Sequence, residues 1–282
     1  MKKLVLFDLD GTLVTTGGAG CQALVKGTEK LYGKKPIFEH ALISGRTDLD
    51  NFTLVYGMLH KGKKPSKLEL KKMEKAYVDQ LPIEVKNLLR AKKYNLIPGI
   101  DKFLRALSKE KDIILALGTG NVEKGAYIKL EPSGLGKYFT FGGWGTDGHT
   151  REDMLKAAVK RAEKKYKTKI TPDQVYVIGD THRDICAAKN CGFHNAVITT
   201  GLGDPKKIQR AAAELEVKDF KDAMLPVWLG LKADPKGVKR GRYIMPATAI
   251  EHVFFSRTGI DEDRLKMLRI KKYEDLGSGT IM

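Results

Sequence analysis

The sequence has no long hydrophobic run, which excludes one class of protein. No stretch approaches the roughly 18–20 apolar residues that a helix needs to cross a bilayer. Asp8 and Asp10 interrupt the apolar start of the chain, too early for the apolar segment of about 7–15 residues in a secretory signal peptide. We therefore expect a cytoplasmic protein with no membrane partner, whose first residues form a short buried strand.

Cysteine is also scarce. The chain has only Cys21, Cys186 and Cys191, an odd number whose spacing matches no zinc-binding pattern. Such a set cannot form a disulfide framework and is typical of a reducing compartment, where free cysteines act mainly as small buried hydrophobic residues.

The remaining composition is that of a folded globular protein. Of 282 residues, 42% are hydrophobic and 30% charged, which favours one large domain or a core with a smaller appended one. Lys and Arg number 51 against 34 Asp and Glu, a net charge of +17 that attracts anions, from phosphorylated metabolites to nucleic acids. The basic residues are scattered without interleaved aromatic residues, so we expect a lysine-rich surface; a nucleic-acid-associated protein is the alternative.

Short β-branched runs alternate with helical patterns along most of the chain. The predicted strands cover residues 3–7, 113–117, 175–178 and 196–199, with a short one near 139–142. The predicted helices between them cover residues 100–109, 151–166 and 182–190. This alternation indicates an α/β fold with a doubly wound parallel sheet, helices lying on both faces.

One region does not follow the alternation. Apolar residues at helical spacing occupy residues 17–93, far more chain than one strand crossover requires. We predict a core made of residues 1–14 and 96–230, with an inserted α-helical cap over residues 15–95.

The C-terminal part has a different pattern. Residues 231–282 are predicted to be an extension of unknown role, with a basic linker over 234–242 and an amphipathic helix over 261–270. Self-association through this extension is one hypothesis for it.

Four short polar segments lie at the ends of predicted strands or the starts of helices. They are residues 8–12 (Asp-Leu-Asp-Gly-Thr), residues 118–121 (Gly-Thr-Gly-Asn), Arg151, and residues 179–184 (Gly-Asp-Thr-His-Arg-Asp). Ligands of open α/β sheets bind at the carboxyl ends of the strands. The sequence therefore predicts one polar site made of all four segments.

The order of these segments resembles that of the haloacid dehalogenase superfamily, whose signature is the Asp-x-Asp-Gly-Thr found at residues 8–12. The resemblance covers residues 1 to about 225 and is strongest to the phosphoglycolate phosphatase-like branch. It implies a phosphatase that hydrolyses a small, phosphoglycolate-like phosphorylated metabolite through an aspartyl-phosphate. A phosphomutase resembling β-phosphoglucomutase would use the same carboxylates and stays open as an alternative.

Charge balance indicates a metal ion at such a site. Asp8, Asp180 and Asp184 would bring three negative charges beside a phosphate ester, which cannot gather in a dry cleft without compensation. Arg151 and one Mg²⁺ would supply it, and an oxygen-only donor set suits Mg²⁺.

The resemblance implies a role for each carboxylate. Asp8 would be the nucleophile, and Asp10 the acid and base that serves the leaving alcohol and then the attacking water. Residues i and i+2 of extended backbone project to the same side, so both can face one substrate. Asp8, the carbonyl of Asp10 and Asp180 would bind Mg²⁺, while Asp184 would hold the metal's water molecules or Arg151.

The phosphate would contact a second group of residues. Thr119 would hydrogen-bond a phosphate oxygen, and Gly120 and Asn121 would donate from the backbone. The family usually has a lysine as its third motif; here Arg151 is the residue we align, and Lys156 is the alternative.

Specificity residues are expected in the cap. Residues 44–48 (Ser-Gly-Arg-Thr-Asp) resemble a turn of related phosphatases, and Arg46 is the candidate to contact an anionic group of the substrate. An alternative interpretation pairs Arg46 with Asp48 or Asp50 at the start of a helix.

Overall fold

The computed structural model describes residues 1–231 except residue 149, together with the backbone of residues 242–243; side chains 40–41 are also outside the description. The predicted helix over 261–270, and the predicted linker over 234–242 apart from the backbone of residue 242, lie outside the described residues. None of the described helices is long and apolar enough to cross a bilayer.

Strands and helices alternate along the described chain. The strands are β1 (Lys3–Phe7), β2 (Val14–Thr15), β3 (Asn95–Leu96), β4 (Ile113–Gly118), β5 (Gly142–Gly143), β6 (Val175–Gly179), β7 (His194–Ile198), β8 (Leu215–Val217) and β9 (Arg242–Tyr243). The helices are α1 (Ala19–Tyr32), α2 (His40–Ile43), α3 (Asp48–Leu59), α4 (Lys67–Arg90), α5 (Ile100–Leu107), α6 (Glu123–Leu130), α7 (Arg151–Tyr166), α8 (His182–Asn190), α9 (Pro205–Ala211) and α10 (Met224–Trp228).

The main sheet has the strand order β5-β4-β1-β6-β7-β8-β9. All neighbours from β5 to β8 are parallel, and β9 is antiparallel to β8. β1 lies between β4 and β6, so the chain reverses direction of winding beside it. This confirms the predicted doubly wound parallel sheet.

Alternation within β1 shows how the two core layers form. Leu6 belongs to the apolar cluster under α7 and α8, which includes Leu155 and Ala188. Phe7 belongs to the cluster on the opposite face, and its ring contacts Phe103 at a centroid distance of 6.4 Å. Because both faces of a parallel sheet are covered, its central strands are apolar throughout.

Helices α1–α4 form an insertion between the short strands β2 and β3. These two strands pair antiparallel, Val14 opposite Leu96, and so bring the two ends of the insertion together. Within the insertion α1 packs along α4, and Lys26 Nζ lies 2.8 Å from the buried Glu84 Oε2.

Element boundaries differ from the predictions by a few residues. The predicted helix over 100–109 ends at Leu107, because Ser108 is its C-cap. The predicted strand over 196–199 begins earlier, at His194, where it pairs with β6. Thr47 and Ser66 accept hydrogen bonds as the N-caps of α3 and α4.

Candidate active site

The predicted polar segments meet at one edge of the sheet. Asp8 follows β1, Thr119 follows β4, Asp180 follows β6, and Arg151 begins α7. All four line one cavity of about 400 Å³, since the carboxyl ends of adjacent parallel strands lie side by side.

Three carboxylates form an acidic cluster beside this cavity, and two of them, Asp8 and Asp180, line it. Oxygens of Asp8, Asp180 and Asp184 all lie within 4.8 Å of one another, and all three residues are buried. Burial and the neighbouring Asp184 raise the pKa of Asp8 to about 7. Burial also raises the pKa of Asp180 well above its usual value. Neutral aspartic acids are favoured here unless positive charge is supplied.

Arg151 is the cation that faces the acidic cluster. A capping box at Thr150 starts α7 and places the guanidinium 3.5 Å from Asp8 and in a short hydrogen bond with Asp184. Burial by itself would lower the pKa of Arg151, but Asp184 and Asp8 hold it above its usual value. Lys156, the alternative third-motif residue, is exposed on the same helix.

The loop after β4 reaches from Thr119 to Asp10. Asn121 Nδ2 donates to Thr119 Oγ1 at 2.7 Å and to Asp10 Oδ2 at 2.9 Å. A side chain at Gly120 would lie 2.9 Å from the carbonyl oxygen of Arg46, so glycine lets the insertion approach this loop closely.

The carboxylate of Asp10 is separate from the acidic cluster and has a buried partner of its own. Lys129 Nζ lies 2.6 Å from Asp10 Oδ2 and 2.6 Å from Asn121 Oδ1. The sequence does not single out Lys129, since a single lysine in a helix is usually exposed. Its only local signal is a position within the apolar run Ala-Tyr-Ile-Lys-Leu.

The insertion supplies the opposite wall of the cavity. Asp48 Oδ2 accepts a hydrogen bond from the Val122 amide at 2.9 Å, and the Asp48 amide donates to the Gly120 carbonyl at 2.7 Å. Burial raises the pKa of Asp48 to about 6. These two bonds join the first turn of α3 directly to the loop after β4.

Arg46 lies at the rim of the cavity and is exposed. Within the described chain it forms no ion pair with Asp48 or Asp50. Its charge acts instead on Arg183, whose pKa is lowered by burial and by the neighbouring Arg46. Arg46 and Arg183 are therefore neighbouring cations, of which Arg46 lines the cavity.

The donor set fits a hard divalent cation. Three buried carboxylates face one arginine, so the acidic cluster in its ionised form needs further positive charge, and oxygen donors suit Mg²⁺. At Gly11, with φ +84°, a Cβ would lie 2.1 Å from Asp180 Oδ2, so only glycine lets the loop after β1 come this close. The Asp10 carboxylate binds Lys129, which leaves the backbone carbonyl as its expected contribution to a metal.

Known proteins are similar to this chain in sequence and in fold. The family model described as haloacid dehalogenase-like hydrolase matches residues 5–198. Phosphoglycolate phosphatase 1 of Pseudomonas aeruginosa is 24% identical over 230 residues, which cover 79% of each chain.

Solved structures extend the similarity of the fold. CbbY from Rhodobacter sphaeroides, in complex with phosphate, has a TM-score of 0.59 at 18% identity, covering 78% of this chain and 95% of its own. β-Phosphoglucomutase from Clostridium difficile has a TM-score of 0.58 at 17% identity, and the match covers 78% of this chain and 92% of that one. A protein described as a predicted phosphoglycolate phosphatase from Haemophilus somnus has a TM-score of 0.55 at 21% identity. The match covers 78% of this chain and 95% of that one.

Proposed function

The chain belongs to the haloacid dehalogenase-like hydrolases, and from this premise we propose that it is a Mg²⁺-dependent phosphatase of small phosphorylated metabolites that reacts through an aspartyl-phosphate. One observation carries the proposal. Asp8 lies 3.5 Å from Arg151 within a buried acidic cluster, and Asp10, two residues on, is held by Lys129 and Asn121 in the same cavity. The side chains proposed as nucleophile, proton donor and cation thus line one cavity, which supports the proposal.

The first half-reaction transfers the phosphoryl group to the protein. An Asp8 oxygen bonds to phosphorus as the bond from phosphorus to the alcohol oxygen breaks, and Asp10 gives that oxygen its proton. Arg151 and the Thr119 hydroxyl neutralise charge on the phosphoryl oxygens, together with the Gly120 and Asn121 amides.

The second half-reaction regenerates the enzyme. Asp10 takes a proton from water, the water oxygen bonds to phosphorus, and the bond to Asp8 breaks to release inorganic phosphate. Asp8, the Asp10 carbonyl and Asp180 would hold Mg²⁺, with Asp184 outside them orienting Arg151 or metal-bound water. When bound, the ion supplies positive charge that lets carboxylate and phosphate approach each other.

The helical insertion over residues 15–95 would act as a cap over the cavity. Asp48 and Asn51 line the cavity from the insertion, and Asp48 hydrogen-bonds the loop after β4. A cap in this position excludes water during the first half-reaction. The cavity volume of about 400 Å³ suits a small metabolite better than a nucleic acid.

Phosphoglycolate is the first substrate to test, because the similar Pseudomonas aeruginosa protein is named a phosphoglycolate phosphatase. The Arg46 guanidinium could bind the carboxylate of this substrate. A phosphomutase is the second candidate, because β-phosphoglucomutase shares the fold. A phosphatase transfers the phosphoryl group from Asp8 to water, whereas a phosphomutase transfers it to a hydroxyl of a sugar.

The test is a panel of phosphorylated metabolites with Mg²⁺, with acid trapping of the phosphorylated protein. We expect release of inorganic phosphate, and no trapped phosphoprotein from the Asp8→Asn variant. Conversion of a sugar phosphate to its isomer would favour the mutase. Turnover by Asp8→Asn that persists in EDTA would refute the mechanism.

A further inference from the structure

Lys129 is a buried cation that the reaction steps above do not use. It lies in the last turn of α6, and helical side chains lean toward the N-terminus of their helix. The start of α6 follows directly from the loop after β4, so this direction takes the amine to the cavity. Only 5% of the side chain is exposed.

The partners of Lys129 restrict the Asp10 carboxylate in one particular way. Asp10 Oδ2 accepts two hydrogen bonds, from Lys129 Nζ at 2.6 Å and from Asn121 Nδ2 at 2.9 Å. Asn121 Oδ1 in turn accepts from Lys129 at 2.6 Å. Within the described part of the chain, Asp10 Oδ1 receives no side-chain hydrogen bond. One oxygen is therefore fixed and the other is left for proton transfer.

The insertion closes the space around the amine. A Cβ at Gly20 of α1 would lie 3.1 Å from Lys129 Nζ and 3.4 Å from the Tyr77 hydroxyl of α4. Asp48 of α3 also acts electrostatically on Lys129. Three helices of the insertion thus surround a cation that belongs to the core.

Burying and fixing the Lys129 amine costs free energy, which indicates that it has a role at the site. Burying an amine is unfavourable without paired charge and hydrogen bonds, and a lysine side chain loses much rotational freedom when it is fixed. An aspartate at a strand end could stay solvated without such a partner. The pairing gives the Asp10 carboxylate one orientation relative to the cavity.

We infer that Lys129 is a positioning residue: it orients Asp10 for proton transfer to the leaving-group oxygen, and the closed insertion holds it in place. The inference rests on the proposed function, since it needs Asp10 as the acid. A positioned acid matters most for an alcohol that leaves poorly without a proton, and little for a phenolate that leaves without one.

The experiment compares two leaving groups on similar aromatic frames, p-nitrophenyl phosphate and benzyl phosphate, with Mg²⁺ present. Lys129→Met should lower kcat/KM for benzyl phosphate about 100-fold, which is within the usual contribution of general acid catalysis. For p-nitrophenyl phosphate the loss should stay below about fivefold. Equal losses on both substrates would overturn the inference while leaving the proposed function intact.

Matched variants separate positioning from a general effect. Lys124→Met changes an exposed lysine of the same helix and should leave both substrates unaffected. In an Asp10→Asn background, Lys129→Met should cause no additional loss with benzyl phosphate, because a residue that acts through Asp10 has nothing left to position. Losses that multiply would contradict the inference.

Two further variants cover the case in which Lys129→Met does not fold. Lys129→Gln keeps a polar side chain and should give the same preference for the activated substrate. Gly20→Ala keeps every charge but crowds the amine, and should lower benzyl phosphate turnover several-fold with little effect on p-nitrophenyl phosphate. A wild-type protein that hydrolyses neither substrate would instead contradict the proposed function, and the inference with it.

Discussion

The cavity has two cations, Arg151 and Lys129, whose side chains are 10% and 5% exposed, and each faces a different set of carboxylates. Arg151 faces the three carboxylates of the acidic cluster at the sheet edge. Lys129 faces Asp10 and the insertion residue Asp48 on the opposite side. The first wall has three carboxylates for one cation, whereas the second has two carboxylates for one cation, and Asp10 there is directly paired with Lys129.

This difference separates two tasks of one site. A wall with excess negative charge is completed by ligands, first a divalent cation and then a phosphoryl group beside Arg151. A wall in which a carboxylate is paired with a buried cation is ordered before any ligand arrives, and such preorganisation is what a positioned proton donor requires. The predictions below test this contrast.

The largest effect is expected for Arg151→Met. Removal of the guanidinium leaves Asp8 and Asp184 facing each other and takes charge compensation from the phosphoryl group, so kcat/KM should fall about 1,000-fold. Steady-state kinetics with Mg²⁺ measures it. Lys156→Met, on the same helix but exposed, is the control and should be silent; the reverse result would show that Lys156 is the third-motif cation.

A change of pH is expected to have an intermediate effect on the stability of the metal-free protein. The pKa of Asp8 is raised from 3.8 to about 7 by burial, so between those values the folded state holds a proton that the unfolded state has lost. Stability should therefore decrease as pH rises from about 4 to about 7. Thermal unfolding in EDTA measures it.

Added Mg²⁺ should reduce that decrease, because it binds the ionised carboxylates and stabilises the folded state by mass action. Asp180→Asn serves as the matched variant: it should weaken the dependence on pH and abolish most of the Mg²⁺ effect. A melting temperature that does not respond to Mg²⁺ in the wild-type protein would contradict the metal site.

The smallest effect is expected for Arg46→Ala at the rim. Because Arg46 is exposed and forms no ion pair in the described chain, its loss should raise KM a few-fold for a substrate with a second anionic group, without changing kcat. Stability should change by less than about 0.5 kcal/mol. Arg105→Ala, exposed on α5, is the control. An unchanged KM would remove Arg46 from the specificity residues.

Most of the helices and strands could be predicted from the local pattern of apolar and polar residues. Buried runs such as residues 3–7 and 113–117 have apolar residues throughout because both faces of a parallel sheet are covered. Thr47 and Ser44 both have the chemistry of an N-cap, so the sequence places the start of α3 within a few residues, and the structure shows that Thr47 is the cap. The elements without such patterns, β2, β3 and β8, are only two or three residues long and form because partners distant in sequence lie beside them.

Sequence alone determined the strands, their carboxyl ends and the motif residues there, since strand periodicity and turn chemistry are local. The strand order that brings Asp8, Thr119 and Asp180 side by side is a property of the tertiary structure. Only the tertiary structure decided which charges pair. Lys129 is 119 residues from Asp10 in the chain, and its contact depends on how α6 lies against the insertion. Pairing of that kind follows from packing in three dimensions, which no spacing within the sequence records.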